Sequence, residues 1–147
     1  MKRIFTKRFS GAIDANPPGL VFEDQNALET WLVQEDIDVI GAEVAVASHA
    51  PSENDGYALV SVELSQVGVM NQDGSILLAS STEGWNTAPP GICQASGHAM
   101  VTFPNGMAVP VKEEGYLYIN GRSKGKSAGP SLFSYGVVVY YTKKGAR

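Results

Sequence analysis

The chain has 147 residues, 44% of them hydrophobic, with sixteen Gly, eight Pro and a formal charge of −4. That length suits one domain with a real core, and the Gly and Pro content suits a turn-rich globular protein. The mild acidity argues against generic nucleic-acid binding, the lone Cys93 allows no internal disulfide, and no stretch reaches the roughly 18 apolar residues of a membrane helix.

The chain opens on Lys2, Arg3, Lys7 and Arg8, set around Ile4, Phe5 and Phe9. This resembles the charged start of a secretory leader. Gly11, Asp14, Pro17 and Pro18 follow in place of an apolar run, so no leader is expected and synthesis in the cytoplasm is. Gly11 and Pro17-Pro18 read as a hinge, which makes 1–18 a basic arm and 19–147 one β-sandwich domain. Removal of the arm is then expected to leave the sandwich folded. Helical signals are scarce. The best is 24–33, where Asp24 is placed to cap Asn26-Ala27-Leu28-Glu29, although Thr30, Trp31 and Val33 favour a strand as readily.

Strands follow. Residues 36–49 alternate through Ile37, Val39, Gly41 and Glu43. Residues 57–67 give Ala58, Val60, Val62, Leu64 and Gln66 on one parity against Tyr57, Leu59, Ser61, Glu63 and Ser65 on the other, which predicts one buried face. The turn-rich Pro51-Ser52-Glu53-Asn54-Asp55-Gly56 joins them. Asn71-Gln72-Asp73-Gly74 reads as a turn before a strand at 75–81. Residues 84–97 read mostly as loop. Further strands are predicted at 98–103, 107–111, 116–120 and 132–142. Pro104-Asn105-Gly106 and Lys112-Glu113-Glu114-Gly115 form turns between them, and 121–130 reads as a polar, basic loop. Eight or nine short strands without an internal repeat predict an all-β, antiparallel β-sandwich or barrel.

Two stretches are more particular. One runs from Phe103-Pro104-Asn105-Gly106-Met107-Ala108-Val109-Pro110-Val111 through Glu114-Gly115-Tyr116-Leu117-Tyr118-Ile119 to Gly136-Val137-Val138-Val139-Tyr140-Tyr141-Thr142. The other is Trp31-Leu32-Val33-Gln34-Glu35-Asp36-Ile37-Asp38-Val39-Ile40-Gly41-Ala42-Glu43-Val44. Together they resemble jelly-roll proteins of tailed-phage virions, of the head-decoration, cement and fibre-base types. Tyr116 departs from the pattern, because Asp or another polar residue is usual there. The resemblance implies a jelly roll and a structural role in a virion.

Candidate chemistry is thin. A metal-dependent jelly roll needs several His and a carboxylate converging on one point. This chain has only His49 and His98, with Glu43 or Asp55 as candidate carboxylates. Cys93 has His98 five residues on, with no third group to orient it. Gly121-Arg122-Ser123-Lys124-Gly125-Lys126-Ser127 is one residue too short between its glycines for a phosphate loop and opens no helix. The acidic stretches Glu35-Asp36-Ile37-Asp38 and Glu53-Asn54-Asp55-Gly56 match no complete Ca²⁺ loop. No catalytic residue, cofactor or metal ligand is therefore expected, nor any enzymatic activity. Tyr116 and Tyr118 fall on one strand face, where exposed rings would suit a sugar.

Charge carries the main functional signal. All eleven Lys and Arg lie in the first eight or last thirty-six positions, and the 103 residues from Phe9 to Val111 hold thirteen Asp and Glu but no Lys or Arg. Such segregation predicts surfaces of opposite sign that meet a partner or neighbouring copies. The expected docking residues are Lys2, Arg3, Ile4, Phe5, Lys7, Arg8 and Phe9 in the arm, Arg122, Lys124 and Lys126 in the late loop, and Lys143, Lys144 and Arg147 at the end. The expected partner is the major capsid protein or another virion protein, with homo-oligomerisation and without direct contact to nucleic acid or membrane. A carbohydrate- or receptor-binding module is the alternative.

Overall fold

The alternation over 57–67 is realised as a strand over 57–65, and most of the other described residues are strand as well. The computed structural model describes residues 3–15, 19–52, 57–70, 73–81, 91–104, 106–126 and 131–144. Side chains are described at 3–12, 27–47, 61–70, 73–79, 96–104, 106–122 and 134–144. Among the described residues nine strands run in chain order: β1 Phe5–Ala15, β2 Gly19–Leu32, β3 Ile37–Ser52, β4 Tyr57–Ser65, β5 Ser75–Ser81, β6 Gly91–Thr102, β7 Val109–Val111, β8 Tyr116–Lys126 and β9 Ser131–Lys143. No helix occurs among the described residues.

One sheet has the order β1-β9-β3-β6, with β7 extending the β6 row along β3; the other has the order β2-β8-β4-β5. Every pairing is antiparallel. The chain crosses between sheets at nearly every connection, which nests two Greek keys into a jelly roll. The core lies between the inner faces and is built from β-branched and leucine side chains, among them Val39, Val44, Val62, Leu64, Leu117, Ile119, Val137 and Val139. The Met107 N–H donates to the Pro104 carbonyl, and Gly106 between them has a positive φ of 85°, which glycine adopts without steric cost.

Four sequence expectations are corrected. Residues 5–15 form no arm: β1 pairs with β9 from Phe5↔Tyr141 to Ala15↔Ser131, and Phe9 is buried in the core. Alternation decided this, because Phe5, Phe9 and Gly11 share one parity and face inward. Gly11 is the seat of a ring, not a hinge: an added Cβ would lie 2.6 Å from the Tyr135 hydroxyl. Residues 24–32 are strand, not helix. Ala27, at φ 54°, sits where the β2 ladder shifts register between Gln25 and Glu29. That bulge lets Leu28 and Trp31, three apart, both pack on the core, and in sequence this spacing reads as helical. Strand β8 continues to Lys126, and β6 begins at Gly91, so much of both expected loops is sheet. Their glycines sit within ladders, as where buried Gly121 pairs with Val62.

Candidate docking surface

The strand pattern sets the expected docking residues in three places. The first is the rim where the chain's ends meet. β1 lies along β9, and the inner edge of that pair carries Phe5, Phe9 and Tyr141 beside Trp31 of β2. Phe5 stacks on Tyr141 with centroids 5.6 Å apart, and Tyr141 and Phe9 flank Trp31 at 5.2 and 6.3 Å. The cations close over these rings. Arg3 lies 5.1 Å and the Lys143 Nζ 4.4 Å from the Phe5 centroid, while the Lys7 Nζ is 5.7 Å from Phe9 and 5.8 Å from Trp31. Such stacking holds a cation without neutralising it. Acidic residues of the β2–β3 turn take part. Lys143 reaches Glu35 at 3.0 Å, and Lys144 reaches Asp38 at 3.4 Å. The neighbouring turn at 112–115 is tied in by the Glu113 N–H donating to Asp36 Oδ1.

The rim therefore combines cations, exposed Ile4 and an acidic turn. Phe9 contributes from beneath and offers nothing to a partner, which corrects its expected role. Lys2 and Arg147 lie outside the described residues.

The second place is the outer face of the β1-β9-β3-β6 sheet, where Arg8 projects. Register sets Arg8 opposite Val138, Val138 opposite Glu43, and Ala45 opposite both Gly136 and His98. Glu43 organises this face. Its Oε2 accepts a hydrogen bond from the Tyr140 hydroxyl at 2.6 Å, and its Oε1 lies 3.5 Å from His98 Nε2. The bond to Glu43 holds the Tyr140 phenol above its usual value, so this hydroxyl serves as a donor and not as a base. Small residues, Ala45, Ala47, Gly97, Ser134 and Gly136, floor two adjoining depressions of about 560 and about 370 Å³. The face offers hydrogen bonds and a shallow seat for a neighbour's side chains.

Glu43 and His98, weighed in sequence as part of a metal triad, are thus brought together. His49 pairs with Gln94, four residues along β3 from the position opposite His98, or roughly 13 Å away. Cys93 and His98 are five residues apart on one extended strand, roughly 16 Å. Among the described residues no three of His, Cys, Asp and Glu converge as a metal site.

The third place is late β8. Arg122 pairs in register with Asp24 and Ser61, and Lys124 with Leu59. The side chains of Lys124 and Lys126 lie outside the description. Lys124 is eight residues along β8 from Tyr116, roughly 26 Å, so the late cations are not gathered with the rim. On the outer face of the second sheet Tyr116 is 45% exposed and stacks on Tyr118 at 5.8 Å, near the exposed Leu32 opposite it. Sequence reasoning named Glu43 and His98 as candidate ligands but not Tyr140, because only the register brings residues 43, 98 and 140 together.

No family model matches the chain, and no curated protein matches it. Among solved structures, the VP2 subviral particle of infectious bursal disease virus is similar at 10% identity and a TM-score of 0.43, covering 97% of this chain and 33% of that one. A chain of the cyanophage Pam1 capsid asymmetric unit is similar at 14% identity and 0.37, covering 97% of this chain and 86% of that one. A CocE/NonD family hydrolase from Staphylococcus aureus is similar at 8% identity and 0.39, covering 92% and 37%. The chain spans about a third of the length of the first structures it resembles. Its jelly-roll assignment stands on its own strand order.

Proposed function

We propose that this protein is a non-enzymatic structural protein of a virion, of the tailed-phage kind, that decorates or cements the capsid. It docks on the major capsid protein, another virion protein or a neighbouring copy. The observation that carries this reading is the rim: a jelly roll whose first and last strands are neighbours and gather Arg3, Lys7 and Lys143 over aromatic rings, with Lys144 beside them on Asp38, in a chain of net charge −4. Repeated weak contacts of such a rim add across a shell by multivalency. Each exposed ion pair contributes only about 0.2–1 kcal/mol, so apolar contact through Ile4 must add to it. Salt is expected to weaken docking without abolishing it.

Quantitative mass spectrometry of purified particles tests the reading. The chain is expected at a fixed ratio to the shell protein, and that ratio should fall for a chain carrying Arg3→Glu and Lys144→Glu. Absence from particles overturns it. The Tyr116–Tyr118 stack favours one second reading, a carbohydrate- or receptor-binding module. Glycan binding lost on Tyr116→Ala, with particle association intact, would select that one.

A further inference from the structure

Four strands form the lateral edges of the two sheets: β1 and β6 in one, β2 and β5 in the other. An edge strand presents unpaired N–H and C=O groups, and natural proteins blunt it with charge, proline, a bulge or shortness. Three of these edges are blunted. β1 carries Lys7, Arg8 and Asp14. β2 carries Glu23, Asp24 and Glu29, and its ladder shifts register twice. β5 has only seven residues and a shift in its pairing. β7, in the β6 row, is interrupted by Pro110.

β6 is the exception. Its twelve residues include no Asp, Glu, Lys, Arg or Pro. It pairs with β3 from Gly41↔Thr102 to Ser52↔Gly91 without a shift. Among the described residues no strand pairs with its other side, and Ser96, His98, Met100 and Thr102 are exposed. The direction of its open groups follows from one bond. Phe103 donates its N–H to the Ile40 carbonyl, toward β3. Backbone groups alternate in direction along an antiparallel strand. Val101, Ala99 and Gly97 therefore face β3, while Thr102, Met100, His98 and Ser96 point theirs outward.

We propose that β6 is the self-association edge of this protein. Two copies pair their β6 strands antiparallel about a two-fold axis at Gly97, joining their sheets into one. Three features select a second copy as the occupant. Pairing about Gly97 sets His98 opposite the second copy's Ser96, so outward groups meet outward groups on both strands. It also keeps each sheet face on its own side and brings Ala99 opposite the second copy's Ala95, where small side chains leave room. Finally, β6 is an uncharged stretch inside the acidic block of Phe9 to Val111, so two copies of a −4 chain meet there without opposing carboxylates. The proposal deepens the self-association within the virion reading and rests on it only for its biological setting.

Sedimentation of the full chain over a range of concentrations tests it, alongside Met100→Pro and Met100→Lys. Proline at position 100 removes an outward N–H and no bond to β3. Lysine places charge on the edge at a side chain already 62% exposed, and it decides the matter should the proline variant fail to fold. The wild type is expected to dimerise, with slow hydrogen exchange at the Ser96 and His98 amides. Each folded variant should raise the dimer dissociation constant at least about tenfold and release those amides. A wild type that stays monomeric with fast-exchanging amides overturns the proposal, as does a dimer that persists in both variants. Either result leaves the virion reading standing, whereas absence from particles leaves the dimer standing.

Discussion

The Tyr135 hydroxyl donates to Glu29 Oε2 at 2.7 Å and so ties β9 to β2 across the gap between the sheets. Burial first, and then the Glu29 carboxylate, push this phenol well above its usual value. The unfolded chain ionises its tyrosines near about pH 10. The folded state keeps the Tyr135 proton to higher pH, so the stability this gives is complete below about pH 10 and is lost as pH rises through the raised folded value. Tyr135→Phe is expected to cost about 1–2 kcal/mol near neutrality, because Glu29 loses its donor. It should also flatten the fall in stability at alkaline pH. Urea midpoints of both proteins at about pH 8 and about pH 10.5 check this; equal slopes would contradict it. None of this was legible in the sequence, where Glu29 lay in a candidate helix and Gly11 in a candidate hinge. Neighbours in the chain suggest helix and hinge, whereas the partners of both residues lie elsewhere in the sandwich.

At the level of the element, the ladder of β8 is organised around Asn120. Its Oδ1 accepts the Ala27 N–H at 2.8 Å, and its Nδ2 donates to Glu63 Oε1 at 3.2 Å and to the Val67 carbonyl at 2.9 Å. One fully buried amide thus fixes the β2 bulge, holds a buried carboxylate and pins the segment after β4 over the sheet. Glu63 was read as the solvent side of a clean alternation. It does face away from the core, but the segment beyond β4 covers it, and period two says nothing about such a cover. Asn120→Ala leaves several buried polar groups without this partner and is expected to cost about 3 kcal/mol. Hydrogen exchange should speed at Ala27 far more than at Val139 in the core. Uniform protection in the variant would show that the hub is dispensable. The strands predicted at 36–49, 57–67, 75–81, 98–103, 107–111, 116–120 and 132–142 fall on β3 to β9, and the clearest of them, 57–65 and the late run of β9, have an inner parity that is apolar throughout. Early β6, 91–97, and late β8, 121–126, read as loop in the sequence because glycines and polar side chains fill ladder positions there.

For the whole molecule, the meeting of the two chain ends matters most. The segregated charge was legible and the sandwich was legible, but not that β1 is part of the sandwich. Its Lys7 and Arg8 suggested solvent, and only the odd positions Phe5, Phe9 and Gly11 show the inward parity. Deletion of residues 1–15 therefore does more than remove a docking element. It strips Phe9 from the core, a loss of about 2–3 kcal/mol by burial alone, and unpairs β9 over its register with β1. The exposed edge would then be Gly136-Val137-Val138-Val139-Tyr140-Tyr141, an apolar run with high strand propensity and no charge. Since whole domains are stable by only about 5–15 kcal/mol, the truncated chain is expected to aggregate or to melt at a much lower temperature. Thermal unfolding followed by circular dichroism, with size-exclusion chromatography, checks this. A monodisperse truncated chain with the wild-type midpoint would restore the arm. The expected outcome also decides how docking must be probed. Loss of particle association after truncation would report unfolding, whereas Arg3→Glu with Lys144→Glu alters the rim at exposed side chains, one over the Phe5 ring and one paired with Asp38, whose contacts contribute about 0.2–1 kcal/mol each, leaving the fold in place and the charge reversed.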